Sequence, residues 1–365
     1  MLLPFSFNIL QCLGLWHSVE FIFGWKKFLY FVYTTLMIIF IYSCVSFELI
    51  ALFASYNTLE QFIYNLVRSL TMVGVCGKIA NVIVKRKDII RLLNILDTYP
   101  CCYRNEKEKL IQDKLDKTIN VRTIAYFGLT ESSVAMGAIV SILCDVPKRS
   151  LPYHTWLPYD STTYVGYWIA YCHKIFAHLF GALVNVAYDT LIPGFMLKIC
   201  EQLRILEYRL NSISKNIYSS DLILLMILDG EKFAEITNKI FNSIIFLQFS
   251  ISAIFICVTV YRLSHIGVNH PKFIPTVIYF TCMLTQVFIT CFASTEYTFK
   301  SCDVAMAIYQ SDWYILSLGT QKSLLMIMMR SQKELKFNAG YFIDVSLNSY
   351  NQLVKLSYSL YNVLQ

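Results

Sequence analysis

A polytopic, all-α membrane protein with seven transmembrane helices is the fold class the sequence predicts, and three observations carry it. Apolar residues make up 56% of the chain and charged residues only 15%, against about 25% charged in soluble domains. Apolar runs of bilayer-spanning length recur from one end to the other. Basic residues gather in every second loop between those runs, the asymmetry that orients membrane proteins. The formal net charge of +7 therefore belongs to orientation, and no nucleic-acid partner is expected.

Taken in order, residues 1–27 form a short arm, expected in the membrane interface around Trp16 and Trp25. Lys26 and Lys27 introduce the first span, Phe28–Phe53. The second, Leu59–Val84, carries Arg68 and Lys78 and stops at Lys85-Arg86-Lys87. A charged stretch to Asn120 has the spacing of a solvated helix with i,i+3 and i,i+4 pairs. Span three is Thr123–Leu143. The loop Asp145–Asp160 holds Pro147, Pro152 and Pro158, which deny it a long helix, and aromatics suited to an interface. Span four runs from Thr163 to Met196 and continues as a helix through Glu201–Leu210, with a kink expected at Pro193-Gly194. Asn211–Asp229 reads as a loop and short helix. Span five is Phe241–Leu263 with a helical approach from Glu231. Span six is Phe273–Thr295, after Pro271 and with Pro275 in its first turn. Residues 299–336 carry an amphipathic helix over Met306–Met329.

The last span, within residues 337–365, is too polar to face lipid. At 100° per residue, Asp344, Asn348, Asn351, Gln352, Lys355, Ser359 and Asn362 share one arc, while Ile343, Leu347, Leu353, Leu356, Leu360 and Leu364 take much of the rest. A wet face at membrane depth must meet protein or water.

Lys plus Arg number 2 before span one and 0 in the first loop, then 9 against 2, 6 against 1, and 5 against 0 in successive pairs of inner and outer segments. That alternation places the N-terminus in the cytoplasm and the C-terminus outside. The long loops are all on the inner side, where extensions of spans four to seven would pack as an intracellular anchor.

Most of the twelve cysteines lie singly in apolar runs, where Cys behaves as a small hydrophobe. No CxxC pair and no metal-ligand spacing among the six histidines points to a metal or other cofactor. No nucleophile elbow, phosphate loop or paired carboxylates suggests an enzyme. Charges inside the spans (Arg68, Lys78, Glu131, Lys174, Asp189) are costly and expected to pair, with Lys78 and Glu131 as one such pair.

With this topology the chain resembles the insect odorant receptors of the odour-tuned type. The resemblance is strongest in AIYQSDWY (Ala307–Tyr314), LMIMMRSQK (Leu325–Lys333), AGYFIDVSLNSY (Ala339–Tyr350) and KLSYSLYNVL (Lys355–Leu364). Weaker echoes are LGLW (Leu13–Trp16), LPYHTWLPYD (Leu151–Asp160), Asp189 with CEQLRILEYRL (Cys200–Leu210), and FLQFSISAIFIC (Phe246–Cys257). The loop after span four lacks the long insertion of the shared co-receptor, which marks a tuning subunit. The resemblance implies a ligand-gated, non-selective cation channel in the plasma membrane of olfactory neuron dendrites. Its partners would be the odorant receptor co-receptor in a heterotetramer, a small volatile odorant, membrane lipid and permeating cations.

It also implies where the sites lie. Residues 28–298 would hold the odorant in their outer half. Candidate wall residues are Phe62, Leu66, Ser69 and Leu70 on span two, and Met136, Ile139, Val140 and Leu143 on span three. Tyr164, Trp168, Tyr171 and Ile175 on span four and Tyr279 and Met283 on span six complete them. An apolar, aromatic pocket of this kind binds by shape and burial. On the pore helix the gate would lie near Val354, Tyr358, Tyr361, Asn362 and Gln365. Three rivals differ in checkable ways. A gustatory-type channel carries a span-seven motif not legible here. A G-protein-coupled receptor has its N-terminus outside. A secondary transporter shows internal repeats.

Overall fold

The computed structural model describes residues 3–17, 24–54, 59–97, 101, 103–151, 156–160, 163–210, 220–265, 270–271, 273–331, 336–340 and 342–364. The side chains of residues 54, 59–61, 63–64, 97, 220–229, 231, 360–361 and 363–364 lie outside this description. Nearly all described residues are helical: α1 Pro4–Cys12, α2 Trp25–Ala54, α3 Leu59–Val84, α4 Arg86–Asp97, α5 Glu106–Cys144, α6 Tyr164–Leu210, α7 Ser220–His265, α8 Phe273–Gln310, α9 Leu318–Ser331 and α10 Leu347–Leu364. Six of these, α2, α3 and α5 to α8, contain windows long and apolar enough to cross a membrane. The protein is a helical membrane protein.

Helix α6 is the axis. It packs against α1, α2, α3, α5, α7 and α8, and from Val184 to Glu201 nearly every residue is buried. A helix apolar all round belongs inside a bundle. In contrast, α2 turns Phe28, Leu29, Phe31, Leu36 and Ile39 outward, as a lipid-facing helix does. Pro193 lies inside α6, which continues to Leu210 as the periodicity of Glu201–Leu210 requires.

The N-terminal arm packs on the bundle. Phe7 and Leu10 of α1 are buried against α6, and Ser6 Oγ meets Thr190 Oγ1 at 2.8 Å. Gly194 makes the dock possible, since a Cβ there would come within 2.7 Å of the Leu3 side chain. Trp16 is buried on Phe7, ring centroids 5.0 Å apart, with the Arg86 guanidinium 5.5 Å from its ring. Trp25 is 83% exposed.

The charged stretch before span three is not simply solvated. It is the first third of α5, one helix from Glu106 to Cys144. Glu108 is fully buried and takes a bidentate pair from Arg209, Nε to Oε1 and Nη2 to Oε2, each 2.8 Å. Nearby, Lys198 bridges Asp116 at 2.5 Å and Glu201 at 2.9 Å. Local spacing suggested partners three or four residues away; the true partners are on α6.

The helix expected over Met306–Met329 is broken. Helix α8 ends at Gln310, a 3-10 turn follows at Trp313–Ile315, and α9 starts at Leu318. Polar side chains that compete for backbone groups explain the break. Ser311 Oγ donates to the Ile308 carbonyl at 2.7 Å, and Gln321 Nε2 donates to the Tyr314 and Leu316 carbonyls at 2.8 and 2.9 Å. Beyond the main core, Ile205, Leu206 and Leu210 of α6 meet Val304 and Ile308 of α8 and Leu324 and Ile327 of α9 in a separate apolar cluster.

The last span also begins later than its polar arc suggests. Strands β1 Asn338–Ala339 and β2 Ile343–Asp344 pair antiparallel, Asn338 opposite Asp344. Gly340 makes the turn at φ +64, and a Cβ there would press on the Phe246 ring at 2.9 Å. Asp344 therefore stands before the helix and not on it. Ser346 caps α10 by accepting the Ser349 N–H at 3.2 Å. Ser294 Oγ donates to the Val345 carbonyl at 2.6 Å, and the Leu347 N–H donates to Thr295 Oγ1 at 3.0 Å. The hairpin thus ties the start of α10 to α8. Replacing Ser346 with Ala is expected to lower stability by about 1 kcal/mol, read as a lower Tm of the detergent-purified chain; an unchanged Tm would show that the cap contributes nothing.

Candidate functional site

Five helices, α3, α5, α6, α7 and α8, enclose a cavity of about 170 Å³. It opens toward the end of the bundle where α5 and α7 finish and α8 begins, at Asp145, Arg262 and Pro275. Small residues create the space: Gly137 on α5 and Gly181 and Ala182 on α6 line it. A Cβ on Gly181 would meet Met72 Sδ at 3.1 Å. The apolar walls include Val67, Met72, Val140, Phe255 and Met283. Phe255 and Tyr279 meet edge to face, centroids 4.9 Å apart at 88°, a geometry that fixes both rings.

Polar side chains make up about half of the lining, Thr130, Ser133 and Thr259 among them. Tyr279 Oη and Thr71 Oγ1 share a hydrogen bond of 2.9 Å. At the closed end, Asn185 and Gln286 line the cavity and belong to a buried ion-pair network. Lys78 Nζ donates to Asp189 Oδ1 at 2.6 Å and to Asn185 Oδ1 at 2.9 Å, and Gln286 Nε2 donates to Asp189 Oδ2 at 2.6 Å. Lys78 therefore pairs with Asp189, not Glu131. Asp189 lies on the face of α6 turned toward α3, and a Lys–Asp pair so satisfied can persist where lone charges cannot.

Beside the cavity, His178 Nε2 lies 3.4 Å from Glu48 Oε1 and Cys44 Sγ lies 3.9 Å from it. The three residues' donor atoms fall within 4.8 Å of one another, a grouping that histidine spacing alone did not suggest. A metal ion fits poorly there. Lys174 and Arg68 both act electrostatically on the one Glu48 carboxylate, so an added cation would be repelled.

Of the wall residues expected from sequence, Val140, Tyr279 and Met283 line this cavity. Ile139 and Leu143 point out of the bundle, as do Tyr164 and Trp168. Tyr171 is buried and donates to Ser141 Oγ at 3.4 Å, one layer behind the wall. Phe62, Leu66, Leu70, Met136 and Ile175 are half-buried and Ser69 is buried, all off the lining. On α3 the lining face is Val67, Arg68, Thr71 and Met72 instead. Arg68 was visible as a charge inside a span, which is itself a functional signal; His178 and Gln286 carried no such mark.

Helix α10 packs on α7 and α8. It buries Leu353 and Ser357 and leaves Asn348, Asn351, Gln352, Lys355, Ser359 and Asn362 exposed on the single chain. Val354 is half-buried and Tyr358 is 61% exposed. The Tyr361 side chain and Gln365 lie outside the described residues.

The family model described as 7tm Odorant receptor matches residues 58–358. Among similar proteins, Odorant receptor 94a of Drosophila melanogaster is 24% identical over 84% of this chain and 81% of its own length. Odorant receptor 30a of the same fly is 22% identical over 100% and 96%. Odorant receptor 10 of Aedes albopictus is 24% identical over 65% and 67%. The solved structure of the insect olfactory receptor OR5 from Machilis hrabei, in complex with eugenol, superposes with a TM-score of 0.89 at 18% identity, covering 98% of this chain and 96% of that one. The fold is shared, the family model spans most of the chain, and the resemblance seen in the C-terminal motifs holds: this chain belongs to the 7tm odorant receptor family of insects.

Proposed function

We propose that the chain is an odour-tuned subunit of a ligand-gated, non-selective cation channel that assembles with the odorant receptor co-receptor as a heterotetramer. The observation that supports this most is the cavity between α3, α5, α6, α7 and α8, where apolar and aromatic side chains such as Val67, Met72, Phe255 and Met283 alternate with polar ones. Such a site suits a small volatile held by burial. The family is one of receptors, and a binding role for this site follows from that. The relative solved with eugenol makes a small aromatic molecule a reasonable scale for the ligand.

The loop charges orient the bundle with the cavity mouth outside and the α6–α8–α9 cluster inside the cell, at the plasma membrane. That inner cluster is the anchor through which subunits associate. The exposed polar arc of α10 faces the pore axis, where copies of the helix from neighbouring subunits line a cation path. The outer end, near Tyr358, Tyr361, Asn362 and Gln365, forms the gate, where a hydrophobic or aromatic ring can close by dewetting. Ligand opens the channel only through its greater affinity for the open form.

Odour-evoked current in cells carrying this chain plus co-receptor, absent when either is omitted, is the expected result of co-expression. Exchanging Tyr358, Tyr361 or Gln365 for Ala is expected to alter block, relative permeability or gating. Unchanged behaviour in all three, with normal surface expression, would remove the gate from the end of α10.

A further inference from the structure

A second groove lies between α5, α6 and α8, and it has two unlike parts. One part, of about 480 Å³, is mostly apolar, lined by Leu129 of α5, Pro193 and Leu197 of α6, and Ile289 and Phe292 of α8. The other, of about 560 Å³, is a charged recess lined by Lys114, Arg122, Arg204, Glu207 and Glu296. Arg122 lines both parts, and its guanidinium lies 5.0 Å from the Phe292 ring. Each helix passes from apolar to charged lining in the same direction: α5 from Leu129 to Lys114, α6 from Pro193 to Glu207, and α8 from Ile289 to Glu296. Along α5 that is about 22 Å at 1.5 Å per residue, against about 15 Å of hydrocarbon in one bilayer leaflet. The length fits a molecule with its head in the recess and its chain in the leaflet. Of the charges lining the recess, Arg204 pairs with Glu296 at 3.2 Å, which sets Lys114 and Arg122 against Glu207. The recess is therefore net cationic, and Lys114 and Arg122 are exposed.

From this geometry we infer that the groove holds an anionic glycerophospholipid, its phosphate on Lys114 and Arg122 and one acyl chain along the apolar part. Arginine presents planar donors that fit a phosphate bidentately, and lysine adds a point charge. A soluble anion matches the recess and leaves the apolar part bare; a hydrocarbon matches the apolar part and leaves the recess bare. A lipid with a charged head matches both. The loop charges put the recess on the cytoplasmic side, where the leaflet carries anionic lipid. The orientation is all that this site shares with the channel reading above.

The test is displacement of a fluorescent phosphatidylglycerol from the purified full chain in detergent. Unlabelled phosphatidylglycerol is expected to displace it at concentrations about thirtyfold below phosphatidylcholine, the ratio that two basic side chains near a membrane surface supply. Lys114→Gln combined with Arg122→Gln should erase that ratio and leave phosphatidylcholine binding and Tm in place, since both side chains are exposed. Ala125→Trp, which fills the apolar part, should weaken both lipids by one common factor. Glycerophosphate, a head without a chain, should displace nothing at concentrations where phosphatidylglycerol saturates. Equal displacement by the two lipids, or a ratio that survives the double substitution, overturns the inference. Glycerophosphate as effective as phosphatidylglycerol makes the recess a free-anion site and overturns it too. So does a chain-to-chain crosslink gained by Ala125→Cys in a lipid bilayer, which would show a second copy covering the groove. None of these readouts uses odour-evoked current, so the channel reading stands or falls separately.

Discussion

Replacing Asp189 with Leu is expected to cost about 3–5 kcal/mol and to leave little folded receptor. The Lys78 and Asp189 side chains are 4% and 1% exposed. Without the carboxylate, the Lys78 ammonium keeps only the Asn185 oxygen, and Gln286 Nε2 loses its acceptor. A loss of that size is a large share of typical domain stability, roughly 5–15 kcal/mol. The double substitution Lys78→Met with Asp189→Leu should recover most of it, because a buried ion pair replaced as a unit by apolar groups is often neutral. Monodisperse yield and Tm in detergent measure both. Wild-type behaviour of Asp189→Leu alone would show that the pair does not hold the closed end of the cavity.

Filling the cavity should have the largest functional effect. Val140 lines it, whereas the adjacent Ile139 points out of the bundle and is 49% exposed. A ligand burying about 200 Å² of apolar surface gains about 5 kcal/mol at about 25 cal/mol per Å². Val140→Trp displaces the ligand from part of that wall. Losing half the burial costs about 2.5 kcal/mol, which is close to a hundredfold in affinity. Ile139→Trp adds the same indole on the outer face and should leave the dose–response curve in place. The reverse pattern, with Ile139→Trp silencing the receptor and Val140→Trp tolerated, would move the site out of this cavity.

The contrast between Ile139 and Val140 also shows what was legible in the sequence. Apolar run length and charge alternation are strong, redundant signals, so the helical class and the long helices were readable. So was the continuation of α6, because Glu201–Leu210 keeps the period of the span before it. The lining face was not: each residue turns the helix by 100°, and the expected set on span three took the outward Ile139 together with the lining Val140. On α3 the expected Leu66 and Leu70 stand one residue off the lining Val67 and Thr71. Partners of buried charges were unreadable for a different reason: Glu108 finds Arg209, and Lys78 finds Asp189, across about a hundred residues of chain. The late start of α10 hinges on Gly340 and Ser346, whose hairpin and cap interrupt a pattern that hydropathy alone continues through Asp344.

Odour-evoked current in excised membrane patches, with no nucleotide on the cytoplasmic face, tests the ligand-gated channel most directly. The chain is expressed with the co-receptor and probed with a panel of small volatile compounds. The account predicts a rapid, reversible cation current with a reversal potential near zero, removed by Val140→Trp. A response seen only in intact cells, abolished on excision and restored by guanine nucleotide, would contradict it.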